Sequence, residues 1–358
     1  MIDKSEVTDS NVEDKNDNNN LELERSIKHF KTKKGKETFK TRLISSVFLL
    51  IFLVFYITTG SIYTYFTREK YFDIFSFISI GLTILICGIA CFEINKAAGY
   101  KKWWQQLILI TVALVLYIFP ITPKLYTFSP YTRMDLYSWL KGWHFTLVLS
   151  ISSLFYLFLA LIENKRVELK KVLIGFSFMA MIVIAMKTYS IVSLDLLEAN
   201  MPIFSFNTIV WIWLMVILGD SFAYIGGMMF GKTKLAPKIS PNKTWEGATI
   251  GSSVASVIGI AYAAIFYFVP ALDNFKPLNI GISLINNKVV EFFIYVLLSC
   301  VFPIIALMGD LIFSWVKRVF DIKDYSRLIP GHGGILDRLD SIIFSLFVLF
   351  FIVLAIGS

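Results

Sequence analysis

Residues 289–316 read VVEFFIYVLLSCVFPIIALMGDLIFSWV, an apolar run broken by two carboxylates, Glu291 and Asp310. A helix that crosses the ~30 Å hydrocarbon layer of a bilayer needs about 20 apolar residues. This run is long enough, so the chain is read as membrane-spanning. A second apolar run follows at 339–357, and the stretch between the two has the opposite character. From Ser314 to Asp340 it carries five basic residues (Lys317, Arg318, Lys323, Arg327, Arg338), four carboxylates (Asp321, Asp324, Asp337, Asp340), His332 and three glycines. Ionisable groups beside hydrocarbon are costly and mark functional sites. This loop is therefore the first place to look for one.

The rest of the chain agrees with a multi-pass membrane protein. Mean hydropathy is +0.67, 56% of the 358 residues are hydrophobic, and 33 are Phe. A soluble protein of this size would expose too much of that surface to water. The formal charge of +8 is then a topology signal, because Lys and Arg set the orientation of membrane spans. No soluble domain offers the basic patch that nucleic acid would need, so no nucleic-acid partner is expected. Cys87, Cys91 and Cys300 all lie in apolar runs, where free Cys packs as a small hydrophobe. They suggest neither a disulfide framework nor a zinc site.

Nine candidate spans run at about 43–66, 72–94, 104–122, 143–162, 172–189, 202–225, 247–270, 289–316 and 339–357. The fifth carries a cation, Lys187, near its end. The fold class expected is all-α and polytopic, with a catalytic membrane domain at 41–357 and a tail at 1–40. The tail is polar, Asn- and Asp-rich over Asn11–Asn20, and without the apolar core of a signal peptide, so it is expected to be disordered. Its end, Arg25–Arg42, holds eight basic residues and one Glu, which suits a positive-inside anchor and attraction to anionic lipid. The loops after spans 2, 4, 6 and 8 carry three, four, four and five basic residues; those between carry two, three, one (Lys187, at the end of span 5) and two. That alternation places the N-terminus, and both polar motif loops, in the cytosol.

Three constellations carry chemistry. Gly219-Asp220-Ser221 puts a carboxylate toward the end of span 6, where it needs a partner. Lys238-Ile239-Ser240-Pro241-Asn242-Lys243-Thr244-Trp245-Glu246-Gly247 offers lysines, hydroxyls and a turn at Ser-Pro-Asn, which suits a polyphosphate near a helix start. Gly226-x4-Gly231-Lys232-Thr233 matches the P-loop pattern formally, but a P-loop needs a strand before it and here a membrane span precedes. In the third, Asp310, Ser314 and Lys317 share one helix face, as do Asp337 and Asp340. Carboxylates from two adjacent spans at a like depth can clamp a divalent cation, and Mg2+ takes one or two carboxylates together with substrate phosphates. Pro330-Gly331-His332-Gly333-Gly334 lets backbone approach a bulky anion.

The run from Ser314 to Asp340 resembles the signature of the phosphatidate cytidylyltransferases, also called CDP-diacylglycerol synthases. Ile239-Ser240-Pro241-Asn242-Lys243-Thr244-Trp245-Glu246-Gly247 resembles a segment of the eukaryotic branch, with Asn242 where a lysine is usual; Gly219-Asp220 stands where that branch has Asn-Asp. Cys91-Phe92-Glu93 to Tyr100 and Lys102-Trp103-Trp104 resemble another of its cytosolic segments. The resemblance covers roughly residues 40–357. It implies a dimeric endoplasmic-reticulum enzyme that transfers CMP from CTP to phosphatidic acid, releases pyrophosphate and requires Mg2+. It also implies that Asp310 and Asp340 hold metal, with Asp337 supporting them and Lys317 acting in catalysis. The candidate substrate contacts are Asp220, Lys238, Ser240, Lys243, Ser314, Arg318, Lys323, His332, Gly333, Gly334 and Arg338.

Two other readings compete. A CTP-using polyprenol kinase would want the same Lys, Asp and Mg2+, but not the full Ser314–Asp340 signature. A transporter or lipid-binding scaffold would want ionisable residues along a path at mid-membrane.

Overall fold

The structure is a computed structural model; it describes residues 33–65, 73–119, 142–162, 168–194, 206–278, 287–331 and 333–357. Among them run nine α-helices: α1 (Lys33–Tyr65), α2 (Asp73–Ala97), α3 (Trp103–Ile118), α4 (Gly142–Ile162), α5 (Leu169–Ser193), α6 (Phe206–Phe230), α7 (Trp245–Phe268), α8 (Lys288–Val319) and α9 (Leu336–Gly357). A two-stranded hairpin, β1 (Lys234–Ala236) and β2 (Ser240–Thr244), joins α6 to α7. The protein is all-α, and each expected span has its helix. Helix α1 starts at Lys33, inside the segment 1–40 assigned to the tail; residues 1–32 lie outside the described residues.

Eight of the helices are long and apolar enough to cross a membrane. The short one is α3, with 16 residues, about 24 Å at 1.5 Å per residue. It was expected to run to 122. It ends early because Pro120 follows, and the residue before a proline is driven out of helical conformation; Phe119 is extended, at φ −65° and ψ 126°. The fifth span, by contrast, is complete at 25 residues. Its Lys187 is fully buried and closes the end of α3: Nζ donates to Tyr117 O (2.8 Å) and Phe119 O (2.5 Å) and lies 5.6 Å from the Phe145 ring centroid. The last carbonyls of a helix have no intrahelical donor, and a cation there answers both their hydrogen bonds and the helix dipole. Lys187→Met keeps the length and removes the donors. It is expected to cost about 1–3 kcal/mol, read as a lower thermal midpoint in detergent. An unchanged midpoint would mean that those carbonyls find another donor.

Helices α6 and α7 approach most closely. Gly219, Ala223, Gly227 and Gly231 recur every four residues on one side of the contact, and Gly247, Gly251, Ala255 and Gly259 on the other. A Cβ on Gly247 would lie 2.5 Å from Ala223 O, and one on Gly251 2.5 Å from Gly219 O. Small residues let membrane helices pack backbone to backbone. This contact sets the distance between Asp220 on α6 and the hairpin that leads into α7. Deeper in the bundle an aromatic stack joins α1, α5 and α6: Tyr56 lies on Tyr189 (ring centroids 4.3 Å apart) and Tyr189 on Trp213 (5.8 Å). The stack's hydroxyls find partners, Tyr56 with Thr83 (2.6 Å) and Tyr189 donating to Tyr56 O (3.2 Å), which lowers the cost of burying them.

One end of the bundle gathers the segments that the charge pattern grouped. Ser45 Oγ, near the start of the first span, donates to Pro330 O (3.1 Å). Lys171 Nζ reaches Asp321 (3.1 Å) at the start of α5, and Arg318 Nε donates to Ile239 O (3.2 Å) at the hairpin tip. The hairpin and the 317–338 loop therefore share one end, with the start of the first span beside them. At the opposite end Lys276 pairs with Asp273 (2.7 Å) and Glu291 (3.5 Å) and lies over the Tyr267 ring.

Candidate active site

The hairpin brings the first cation. Its turn is Ala236-Pro237-Lys238-Ile239, with Ile239 N donating to Ala236 O (3.1 Å); Pro237 occupies the position whose φ proline pre-sets. The turn expected at Ser240-Pro241-Asn242 is instead strand β2. Pro241 is tolerated there because a two-stranded ribbon is all edge. The hairpin is fastened at its base. Glu246 accepts from Lys232 N (3.0 Å), Thr233 N (3.1 Å) and Thr233 Oγ1 (2.6 Å), and Thr244 caps α7 by accepting from Gly247 N (3.2 Å). Lys243, one residue before that cap, forms an ion pair with Asp310 of α8. Lys238 is exposed at the turn and Ser240 is half-buried.

The carboxylates come from three helices. Asp310 accepts from Ser314 Oγ (3.2 Å) one turn along α8. Asp340 is buried on the first turns of α9; it accepts from Ser341 N (2.9 Å), which leaves most of a carboxylate's acceptor capacity open. Asp220 joins them from α6, ten residues inside that helix rather than at its end. The charge of Asp310 acts on both Asp220 and Asp340. The face shared by Asp310, Ser314 and Lys317 divides in the fold: Asp310 meets Lys243 and Ser314, whereas Lys317 crosses to α9 and pairs with Asp337 (3.0 Å). The Lys317 ammonium also lies 5.6 Å from the Tyr325 ring centroid.

The loop between α8 and α9 wraps two buried carboxylates. Asp337 holds Lys317 with one oxygen and accepts from Tyr325 N and Gly334 N (both 2.9 Å) with the other. Glu93, from the end of α2, accepts from Ser326 Oγ (2.5 Å), Ile335 N (3.0 Å) and Leu336 N (2.8 Å). The glycines make room for them. A Cβ on Gly333, whose φ is +89°, would lie 2.9 Å from Asp337 Oδ2, and one on Gly334 would lie 2.6 Å from Glu93 Oε1. Gly333 and Ile329 exchange both backbone hydrogen bonds (2.8 and 3.2 Å). Tyr325 donates to Phe313 O (3.1 Å); burial, then the charges of Asp340, Asp337 and Glu93, pushes its phenol well above the usual value, so it remains a neutral donor. Lys323, Arg327 and Arg338 are exposed on the loop or at the start of α9. His332 lies outside the described residues.

Lysine, hydroxyl and carboxylate chemistry from two separate motif loops thus meets at one end of a membrane bundle. The chain matches the Cytidylyltransferase family over residues 39–356. It belongs to that family. Among curated relatives it is 47% identical over 133 residues to a phosphatidate cytidylyltransferase of Rickettsia felis, covering 37% of this chain and 52% of that protein. It is 45% identical over 131 residues to the Rickettsia typhi protein of the same name, covering 37% and 51%. A third, from Brucella abortus, is 39% identical over 155 residues, covering 43% and 49%. The chain spans about half the length of the curated relatives it matches.

Glu93, quoted above only within a resembling segment, was not among the candidate site residues, yet in the fold it holds the signature loop. Its signal is present: a carboxylate closing an apolar run is expensive unless partnered. The partners, however, lie 233–243 residues away.

Proposed function

We propose that the chain transfers CMP from CTP to phosphatidic acid, forming CDP-diacylglycerol and pyrophosphate. The observation that carries this reading is the ion pair between Lys243 of the hairpin and Asp310 of α8, with the charge of Asp310 felt at Asp220 and Asp340, in a chain of the cytidylyltransferase family. In the reaction, a phosphate oxygen of the lipid attacks the α-phosphorus of CTP. One P–O bond forms there, the bond to the α–β bridging oxygen breaks, and pyrophosphate leaves with that electron pair. Positioning and charge neutralisation supply most of the catalysis for such transfers, so no side-chain nucleophile is required. Lys243, Lys317, Lys323 and Arg338 hold phosphate oxygens, with Lys238, Ser240, Ser314, Arg318, His332 and the Gly333-Gly334 backbone as further contacts.

The donor set fits Mg2+. Among the described residues no three or more His, Cys, Asp or Glu are close enough to enclose a metal. Mg2+ does not need such a cage, because it takes one or two carboxylates and completes its shell with phosphate and water. Asp310 and Asp340 would hold it, with Asp337 fixing the neighbouring turn. When bound, the ion neutralises charge on the phosphate oxygens.

Purified protein in detergent, given labelled CTP, phosphatidic acid and Mg2+, is expected to yield CDP-diacylglycerol and pyrophosphate. A phospholipid monoester with CDP, formed from a polyprenol, would instead indicate a lipid kinase. In sealed vesicles, impermeant CTP is expected to be used only on the side that carries the N-terminus, which the basic tail assigns to the cytosol. The segment at 239–247 supports the endoplasmic reticulum by its eukaryotic resemblance, whereas the bacterial relatives support another membrane; cell fractionation separates these. A homodimer belongs to the same reading on the resemblance alone, and light scattering in detergent tests it.

A further inference from the structure

Glu93 is 1% exposed, and its hydrogen bonds reach the loop and the helix that carry the signature. We propose that Glu93 is a positioning residue for the reaction above: it fixes the first turn of α9 and with it the carboxylate of Asp340. The inference rests on the proposed reaction for its meaning, though not for its geometry. The first N–H groups of a helix have no intrahelical acceptor and carry partial positive charge. Glu93 takes those of Ile335 and Leu336 in charge-assisted bonds, which are shorter and stronger than neutral ones. Asp337 takes the N–H of Gly334 just before them (2.9 Å). The loop is shaped to admit the Glu93 carboxylate, since any side chain at Gly334 would collide with it. Leu336 and Asp340 are four residues apart and share a helix face. A tilt of the turn that Glu93 grips therefore displaces the Asp340 carboxylate, and groups behind a ligand set its orientation.

Glu93→Gln keeps the shape but turns an NH2 toward one of the N–H donors. The experiment compares wild type, Glu93→Gln and Glu291→Gln, all purified in detergent. Glu291 is the control at the opposite end of the bundle, where it holds Lys276. Mn2+ binding is read by electron paramagnetic resonance with CTP present, beside CDP-diacylglycerol synthesis against Mg2+ concentration. Glu93→Gln is expected to weaken Mn2+ binding by about 10–100-fold and to raise the Mg2+ needed for half-maximal rate in step. KM for CTP at saturating Mg2+ stays unchanged, and Glu291→Gln behaves as wild type in both readouts. The proposal is overturned if Glu93→Gln binds Mn2+ as wild type does, if Glu291→Gln reproduces the shift, or if wild type binds no Mn2+. Should Glu93→Gln fail to fold, Gly334→Ala, which pushes the carboxylate aside, must give the same shift, and its absence overturns the proposal. A Mn2+ shift in a protein that makes no CDP-diacylglycerol would reject the proposed reaction while leaving the hold of Glu93 on Asp340 in place.

Discussion

Asp310→Asn and Asp340→Asn are each expected to lower kcat for the proposed CDP-diacylglycerol synthesis by about 10²-fold or more, the loss typical of a group that acts mainly on transition-state charge. Asn has the shape of Asp without its charge, so packing of α8 and α9 survives and the protein still inserts. Asp310 sits between Lys243 and Ser314, and Asp340 is buried with acceptor capacity unused. Neither holds its helix in place in the way that Asp337 does. Excess Mg2+ is expected to restore partly a weakened site of the proposed metal, but not Lys317→Ala, which removes a cation rather than a ligand. The measurement is initial rate against Mg2+ for each variant. Near-normal rates for both Asn variants at limiting Mg2+ would make these carboxylates structural.

Gly251→Ala is expected to separate α6 from α7. The added Cβ would lie 2.5 Å from Gly219 O and within 2.7 Å of Ala223 N, and backbone cannot turn aside as a side-chain tip can. Overpacking of this kind costs about 1–3 kcal/mol, sometimes more. The strain falls where Asp220 and Lys243 are set against each other, so activity falls with stability. Gly81 is the control, because a Cβ there meets nothing within 4 Å. Gly81→Ala is then neutral, or stabilising by up to about 1 kcal/mol through helix propensity. Thermal midpoints in detergent decide: equal midpoints for the two variants would mean that the helices shift without cost.

The helices were legible because hydrocarbon imposes one requirement on every span, and a run such as 289–316 meets it without help from the rest of the chain. The ends were less legible. Span 3 stops at Ile118 because a proline follows. Its open carbonyls are met by a lysine about 70 residues later, the cation near the end of the fifth span, and nothing in either segment alone announces the pairing. The site showed the same division. Asp310, Ser314 and Lys317 lie on one face, as their spacing requires, yet Lys317 turns to α9 for its partner. No local pattern contains the position of α9. Gly333 and Gly334 were read as room for a phosphate; in the fold each also makes room for a buried carboxylate. The hairpin turn fell at Pro237 rather than Pro241, since either proline satisfies turn geometry and strand pairing chooses between them.

The grip of Glu93 on the start of α9 has a bearing on how the protein is made. Its partners Ile335 and Leu336 are 242 and 243 residues further along the chain. A ribosome that has delivered α1 to α8 to the membrane has delivered most of the hydrophobic bundle and the hairpin with Lys243. That nascent chain still lacks Asp337 and Asp340, and its Glu93 carboxylate faces a gap. Insertion of α9 is therefore the event that closes the loop and brings in Asp337 and Asp340, so on the proposed reaction a chain stalled before α9 is expected to be embedded in the membrane and inert toward CTP.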